Sequence, residues 1–157
     1  MPISSGIPAP DFSLPDESGK LRSLSEFRGH PIILYFYPKD DTPGCTTEAC
    51  NFRDDYSQYE QTGITILGVS PDSSKSHAKF KAKYGLPFPL LADVEHKVCD
   101  LYEVWGRKKM MGHEFDGVFR TTFLIDEAGN IIQVFKDVKP AGHSVELLDA
   151  LRVYREK

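Results

Sequence analysis

The stretch Pro38-Lys39-Asp40-Asp41-Thr42-Pro43-Gly44-Cys45-Thr46-Thr47-Glu48-Ala49-Cys50 decides how this chain is read. It follows Ile32-Ile33-Leu34-Tyr35-Phe36-Tyr37, an unbroken apolar run of strand length that reads as a buried strand. Beyond it, Cys45, Ala49, Phe52, Tyr56 and Tyr59 recur at helical spacing and fall on one stripe. The quoted segment is therefore a strand-to-helix loop, with Cys45 in the first turn of the helix. Unpaired N–H groups and the positive end of the helix dipole favour a thiolate there. Thr42 offers a hydroxyl that can donate to the sulfur, Pro43 stiffens the loop, and Gly44 lets backbone approach closely. Cys50 lies five residues on, too far for a Cys-x-x-Cys redox pair. The pattern is a reactive sulfur with a second sulfur in reserve.

Outward from this loop, strand and helix signals alternate. Asp11–Leu14 and Lys20–Leu24 flank a Pro15–Gly19 turn, which predicts an N-terminal hairpin, followed by a short helical turn over Ser25–Gly29. The Cys45 helix should run to Gly63, and Ile64–Ser70 reads as a second buried strand. A helix capped from Asp72-Ser73-Ser74 ends at Gly85, Pro87–Ala92 is extended, and Val94, Val98, Leu101 and Tyr102 mark another helix. Residues 105–118 read as an irregular, basic, glycine-containing loop. Phe119–Asp126 and Asn130–Val138 form a hairpin around Glu127-Ala128-Gly129, and Ser144 to about Arg155 forms the last helix. The order implies one α/β layered domain over residues 1–157, without repeats or linkers.

Bulk properties narrow the function. A formal net charge of −4 gives no basic footprint for nucleic acid. No apolar run approaches a membrane span, and the N-terminal residues lack a signal-peptide pattern, so a cytoplasmic setting is expected. Three cysteines, an odd count, argue against a secreted disulfide framework.

The run Pro38-x-x-x-Thr42-x-x-Cys45 resembles the signature of the peroxiredoxins, thiol peroxidases of thioredoxin-like fold. The longer form through Cys50 is similar to the Q-type subclass, the bacterioferritin comigratory proteins. Pro8–Phe12, Tyr35–Pro38, Gly68–Ser70, Tyr102–Lys109 and Arg120–Asp126 carry the resemblance along most of the chain. It implies a central mixed sheet flanked by helices with an N-terminal β-hairpin. It implies Cys45 as peroxidatic cysteine and Cys50 as resolving cysteine, closing an intramolecular disulfide. Thr42 would bond the thiolate and the incoming peroxide, Pro38 would shield the pocket, and Gly44 would belong to the same substrate-binding loop. Arg120 would hold the sulfur anionic and polarise the peroxide, with Glu48 orienting Arg120. The implied partners are hydrogen peroxide or an organic hydroperoxide and thioredoxin or a similar dithiol reductant, with no cofactor or metal, in a monomer.

Helix geometry adds a constraint. Five residues along an ideal helix separate Cα atoms by about 8–9 Å, whereas a disulfide tolerates no more than about 7 Å. The helix must unwind locally before the two cysteines bond. Cys99, beside Val98 and Tyr102, reads as core filler. His30, His77, His96, His113 and His143 show no paired ligand spacing and read as solvated. Trp105, Met110 and Met111 read as partly exposed near the site, and Arg107-Lys108-Lys109 as a solvated run. The competing readings are a protein thiol–disulfide oxidoreductase, disfavoured by the cysteine spacing, and a redox-sensing holdase.

Overall fold

A computed structural model describes residues 2–155. The N-terminal hairpin pairs β1 (Ser13–Pro15) with β2 (Leu21–Ser23), and a single 3-10 turn follows over Leu24–Phe27. The main sheet, separate from this hairpin, holds β3 (Ile32–Phe36), β4 (Thr65–Ser70), β5 (Leu90–Ala92), β8 (Thr121–Ile125) and β9 (Ile131–Phe135), in spatial order β5-β4-β3-β8-β9. The first three are parallel, and β8 and β9 run antiparallel to their neighbours, which makes the sheet mixed.

Every residue of β3 is buried because the sheet is covered on both faces. Its side chains alternate between two cores. Ile32, Leu34 and Phe36 pack with Phe12, Leu67, Tyr102 and Phe123 under the N-terminal hairpin and α4 (Lys97–Leu101). Ile33 and Tyr35 pack with Cys45, Ala49 and Phe52 of α1 (Pro43–Asp54). That second core also takes Tyr59 of α2 (Tyr56–Gln61), Phe80 of α3 (Ser74–Tyr84) and Leu147 and Leu151 of α5 (His143–Arg155). Ser73 caps α3 by accepting from Ser76 N–H at 3.1 Å, and Gly85 ends it in the left-handed region.

Two expectations need correction. The helix read as continuous from Cys45 to Gly63 breaks at Asp55 (ψ 5°), whose carboxylate accepts a 2.7 Å bond from Ser144 Oγ on α5. Residues 105–118 are not an irregular loop but a hairpin of β6 (Trp105–Met110) and β7 (His113–Val118). Met111 and Gly112 both take positive φ, as a two-residue hairpin turn demands, and Arg107 pairs across to Glu114 and Asp116. The signal was there in the cross-strand charges, but its glycines and basic residues read as loop.

Candidate active site

The strand β3 delivers its chain into the loop over residues 37–42, and Thr42 caps α1 from extended backbone with Pro43 in the first helical turn. Thr46 N–H is the first to bond back, to Thr42 O at 2.8 Å, so the amides of Gly44 and Cys45 precede the helical ladder. Antiparallel pairing of Phe36 with Thr121 brings Arg120, the residue before β8, to this same end of the sheet. Two segments about 75 residues apart thereby meet.

Arg120 Nη2 donates to Cys45 Sγ at 3.1 Å, and its Nη1 donates to Glu48 Oε1 at 3.3 Å. Cys45 is buried on the stripe with Ala49 and Phe52. Glu48 is 2 % exposed, and burial raises its carboxyl to about 7 even though the Arg120 charge and hydrogen bond act the other way. Gly44 has a reason beyond backbone flexibility. A Cβ there would lie 2.7 Å from Arg120 Nη2 and 3.4 Å from Pro140 Cγ. The missing side chain leaves room for the guanidinium.

The Thr42 hydroxyl departs from the sequence expectation: it donates to Lys39 O at 2.9 Å rather than to the sulfur. Pro38 is partly buried at the start of the loop. Cys50, also partly buried, lies in the same helix as Cys45, and all three cysteines are free thiols. Cys99 is fully buried in the other core, where burial and the nearby Asp93 carboxylate push its thiol well up.

Several neighbours of the site carry no local sequence signal. Pro140 reaches the site from the loop before α5 and accepts from Asn51 Nδ2 at 3.4 Å. Lys108, read as solvated, is partly buried on the hairpin, donates to Val118 O at 2.8 Å and lies 5.9 Å from the Phe119 ring centre. Burial and the Arg120 charge lower its ammonium's pKa, and Cys45 opposes them. The Tyr35 hydroxyl is buried without a hydrogen-bond partner among the described residues. Two histidines also correct the solvated reading. His77 and His143 are buried, His77 against Asp40 and Leu91 O, and His143 between Thr122 and Glu146 at the start of α5. His96 stacks on Trp105 with ring centres 4.0 Å apart. Trp105 is partly exposed, while Met110 and Met111 are exposed at the hairpin turn. Among the described residues, Asp40, Asp72 and His77 bring metal-type ligand atoms within 4.8 Å of one another, and no cysteine joins them.

An AhpC/TSA family profile matches residues 5–134. The peroxiredoxin Bcp of Bacillus subtilis is 48% identical over 157 residues, covering all of both chains. The peroxiredoxin Bcp of Escherichia coli K12 is 42% identical over 151 residues, covering 96% of this chain and 97% of the relative. Among solved structures, a Xanthomonas campestris bacterioferritin comigratory protein studied for alkyl peroxide reduction superposes with a TM-score of 0.86 at 40% identity, covering 91% of each chain. A cysteine-to-serine mutant of Xylella fastidiosa PrxQ superposes with a TM-score of 0.91 at 35% identity, covering 99% of this chain and 98% of the other. The expected thioredoxin-like arrangement, hairpin included, is the fold these neighbours share.

Proposed function

The chain belongs to the AhpC/TSA family, and from that membership we propose that Cys45 is its peroxidatic cysteine. The protein is a thiol-dependent peroxidase. The observation that carries the assignment is the 3.1 Å bond from Arg120 Nη2 to Cys45 Sγ at the start of α1. A guanidinium donor and the first-turn amides both favour negative charge on sulfur.

In the first step the Cys45 thiolate attacks the terminal peroxide oxygen. An S–O bond forms, the O–O bond breaks, and the departing oxygen leaves as water or an alcohol after taking a proton. Charge moves from sulfur to that oxygen, where Arg120 and the amides of Gly44 and Cys45 follow it as fixed donors. Thr42 acts as an acceptor for the peroxide O–H. Its own proton is committed to Lys39 O, so its lone pairs face outward demand. Glu48 orients Arg120, and Pro38 shields the loop.

In the second step Cys50 attacks the Cys45 sulfenic acid, forming the disulfide and releasing water. A dithiol reductant, thioredoxin in our reading, then restores both thiols by exchange. Because the two cysteines share one helix, the cycle needs no second subunit, which supports a monomer. Hydrogen peroxide and organic hydroperoxides are the substrates, and a reducing cytoplasm is the setting that supplies the dithiol.

Peroxide-dependent NADPH oxidation with thioredoxin and its reductase tests the assignment. Cys45→Ser should abolish turnover. Cys50→Ser should stop thioredoxin-linked cycling while leaving one equivalent of peroxide consumed. Turnover that survives Cys45→Ser overturns the reading. Insulin reduction without peroxide consumption would instead mark a protein disulfide oxidoreductase.

A further inference from the structure

The loop that carries Thr42 and Cys45 rests on a buried polar cluster that the peroxidase chemistry does not touch. Asp40, five residues before Cys45, has a carboxylate side chain only 4% exposed. Its Oδ1 accepts from Tyr37 Oη at 2.6 Å and its Oδ2 from Ser76 Oγ at 2.7 Å. The same Oδ2 lies 2.7 Å from His77 Nδ1, while His77 Nε2 lies 3.0 Å from Leu91 O. A buried carboxylate is costly unless hydrogen-bonded. Its partners come from the loop's own start and from α3, so the loop is tied to one position relative to them.

The tie reaches the substrate side through a single peptide unit. Asp40 N–H donates to Asp72 Oδ2 at 2.8 Å, and Asp72 Oδ2 also accepts from Ser70 Oγ at 2.7 Å. The carbonyl of that same Lys39–Asp40 peptide accepts the Thr42 hydroxyl at 2.9 Å. A peptide unit is planar, so holding its N–H sets the direction of its C=O. The direction of the C=O in turn decides where the Thr42 proton points and where its lone pairs are left.

We propose that Asp40, clamped by His77 and Ser76 and aided by Asp72, is a positioning residue for peroxide reduction. Its anchored side chain holds the backbone of residue 40 while Asp72 holds the N–H, and the Lys39–Asp40 peptide plane so fixed takes the Thr42 proton and leaves the Thr42 lone pairs to the peroxide beside Cys45. This rests on the assignment of Thr42 and Cys45 to the substrate site. The cluster touches no reacting atom, so its removal weakens recognition of the peroxide and leaves the sulfur as nucleophilic as before.

The test compares two second-order rate constants for Cys45 in reduced protein carrying Cys50→Ser, read by mass spectrometry. Hydrogen peroxide reports the whole site, and iodoacetamide reports only an accessible thiolate. Asp40→Asn should slow the peroxide reaction roughly tenfold to a hundredfold, with alkylation within about twofold of the parent. Ser76→Ala, which removes one donor and nothing else, should move the same ratio in the same direction by a smaller factor. Ser76→Ala and Tyr37→Phe decide the matter should Asp40→Asn fail to fold. An unchanged peroxide rate overturns the proposal, and so does a parallel fall of both rates, which would mean general loosening of the loop. Thr42→Val separates the two layers. If it leaves the peroxide rate at the parent value, the substrate assignment of Thr42 fails. If it slows the reaction while Asp40→Asn does not, only the positioning role fails.

Discussion

Gly44 and Arg120 show how one absent side chain shapes the site. A Cβ at residue 44 would sit 2.7 Å from Arg120 Nη2, a separation that real Cβ atoms do not hold, and Pro140 closes the other side. Gly44→Ala should displace the guanidinium from Cys45 and slow peroxide reduction about tenfold or more, since the Arg120 bond to Cys45 Sγ is weakened. The melting temperature should barely move, because residue 44 sits in the partly exposed first turn of α1. Stopped-flow peroxide kinetics beside a thermal melt checks this, and a normal rate would show that the guanidinium adjusts freely. Sequence alone made Gly44 a flexibility residue; the guanidinium 75 positions away from Cys45 gives it a second reason that no local pattern encodes.

The helix α1 must do two incompatible things. Intact, it presents Cys45 in its first turn; in the proposed disulfide form it would have to let Cys45 and Cys50 approach within disulfide reach, which about 8–9 Å of helical separation forbids. Oxidation to the disulfide should therefore lower far-UV helix signal and strip amide protection from α1 alone. Equal protection in both forms would sink the idea. Glu48 biases this equilibrium. Its carboxyl is held at about 7 in the folded helix by burial, against an ordinary value of 4.5 when released. The folded helix thus binds more protons at this site, so the contribution of Glu48 to α1 is full below about pH 4.5 and is lost as pH climbs through 7, by something on the order of 3 kcal/mol. In a Cys50→Ser background, α1 amides corrected for intrinsic exchange should open more readily at pH 7.5 than at pH 5.5. Glu48→Gln should flatten that dependence; a slope that persists in the variant would assign it to another group. At the same scale, the hairpin β6–β7 hides in the sequence because glycine and lysine content outweighs its weak alternation, although Met111-Gly112 and the opposed charges mark a turn.

Across the whole molecule, the sheet divides the cysteines by fate. Cys45 belongs to the core over α1, and Cys99 is sealed in the opposite core with Val98, Tyr102 and Phe123. Iodoacetamide should label the partly exposed Cys50 directly and Cys45 through opening of the first turn of α1, and reach Cys99 only on global unfolding, with its rate tracking the unfolding free energy across a urea series. Native labelling of Cys99 at rates near those of Cys50 would contradict its place in the core. The sequence by itself determined the alternating strands and helices outside the β6–β7 hairpin, and the loop that leads into α1 with Cys45 in its first turn. It did so because apolar periodicity, proline, glycine and capping residues act over a few positions. Only the tertiary structure decided which distant residues face the sulfur. The Phe36–Thr121 register brings Arg120 to Cys45, the packing of α3 under the loop pairs His77 with Asp40, and the loop before α5 delivers Pro140. Those contacts depend on strand order and on which face each helix covers. Both are set by packing across the sheet, which no short window of sequence contains.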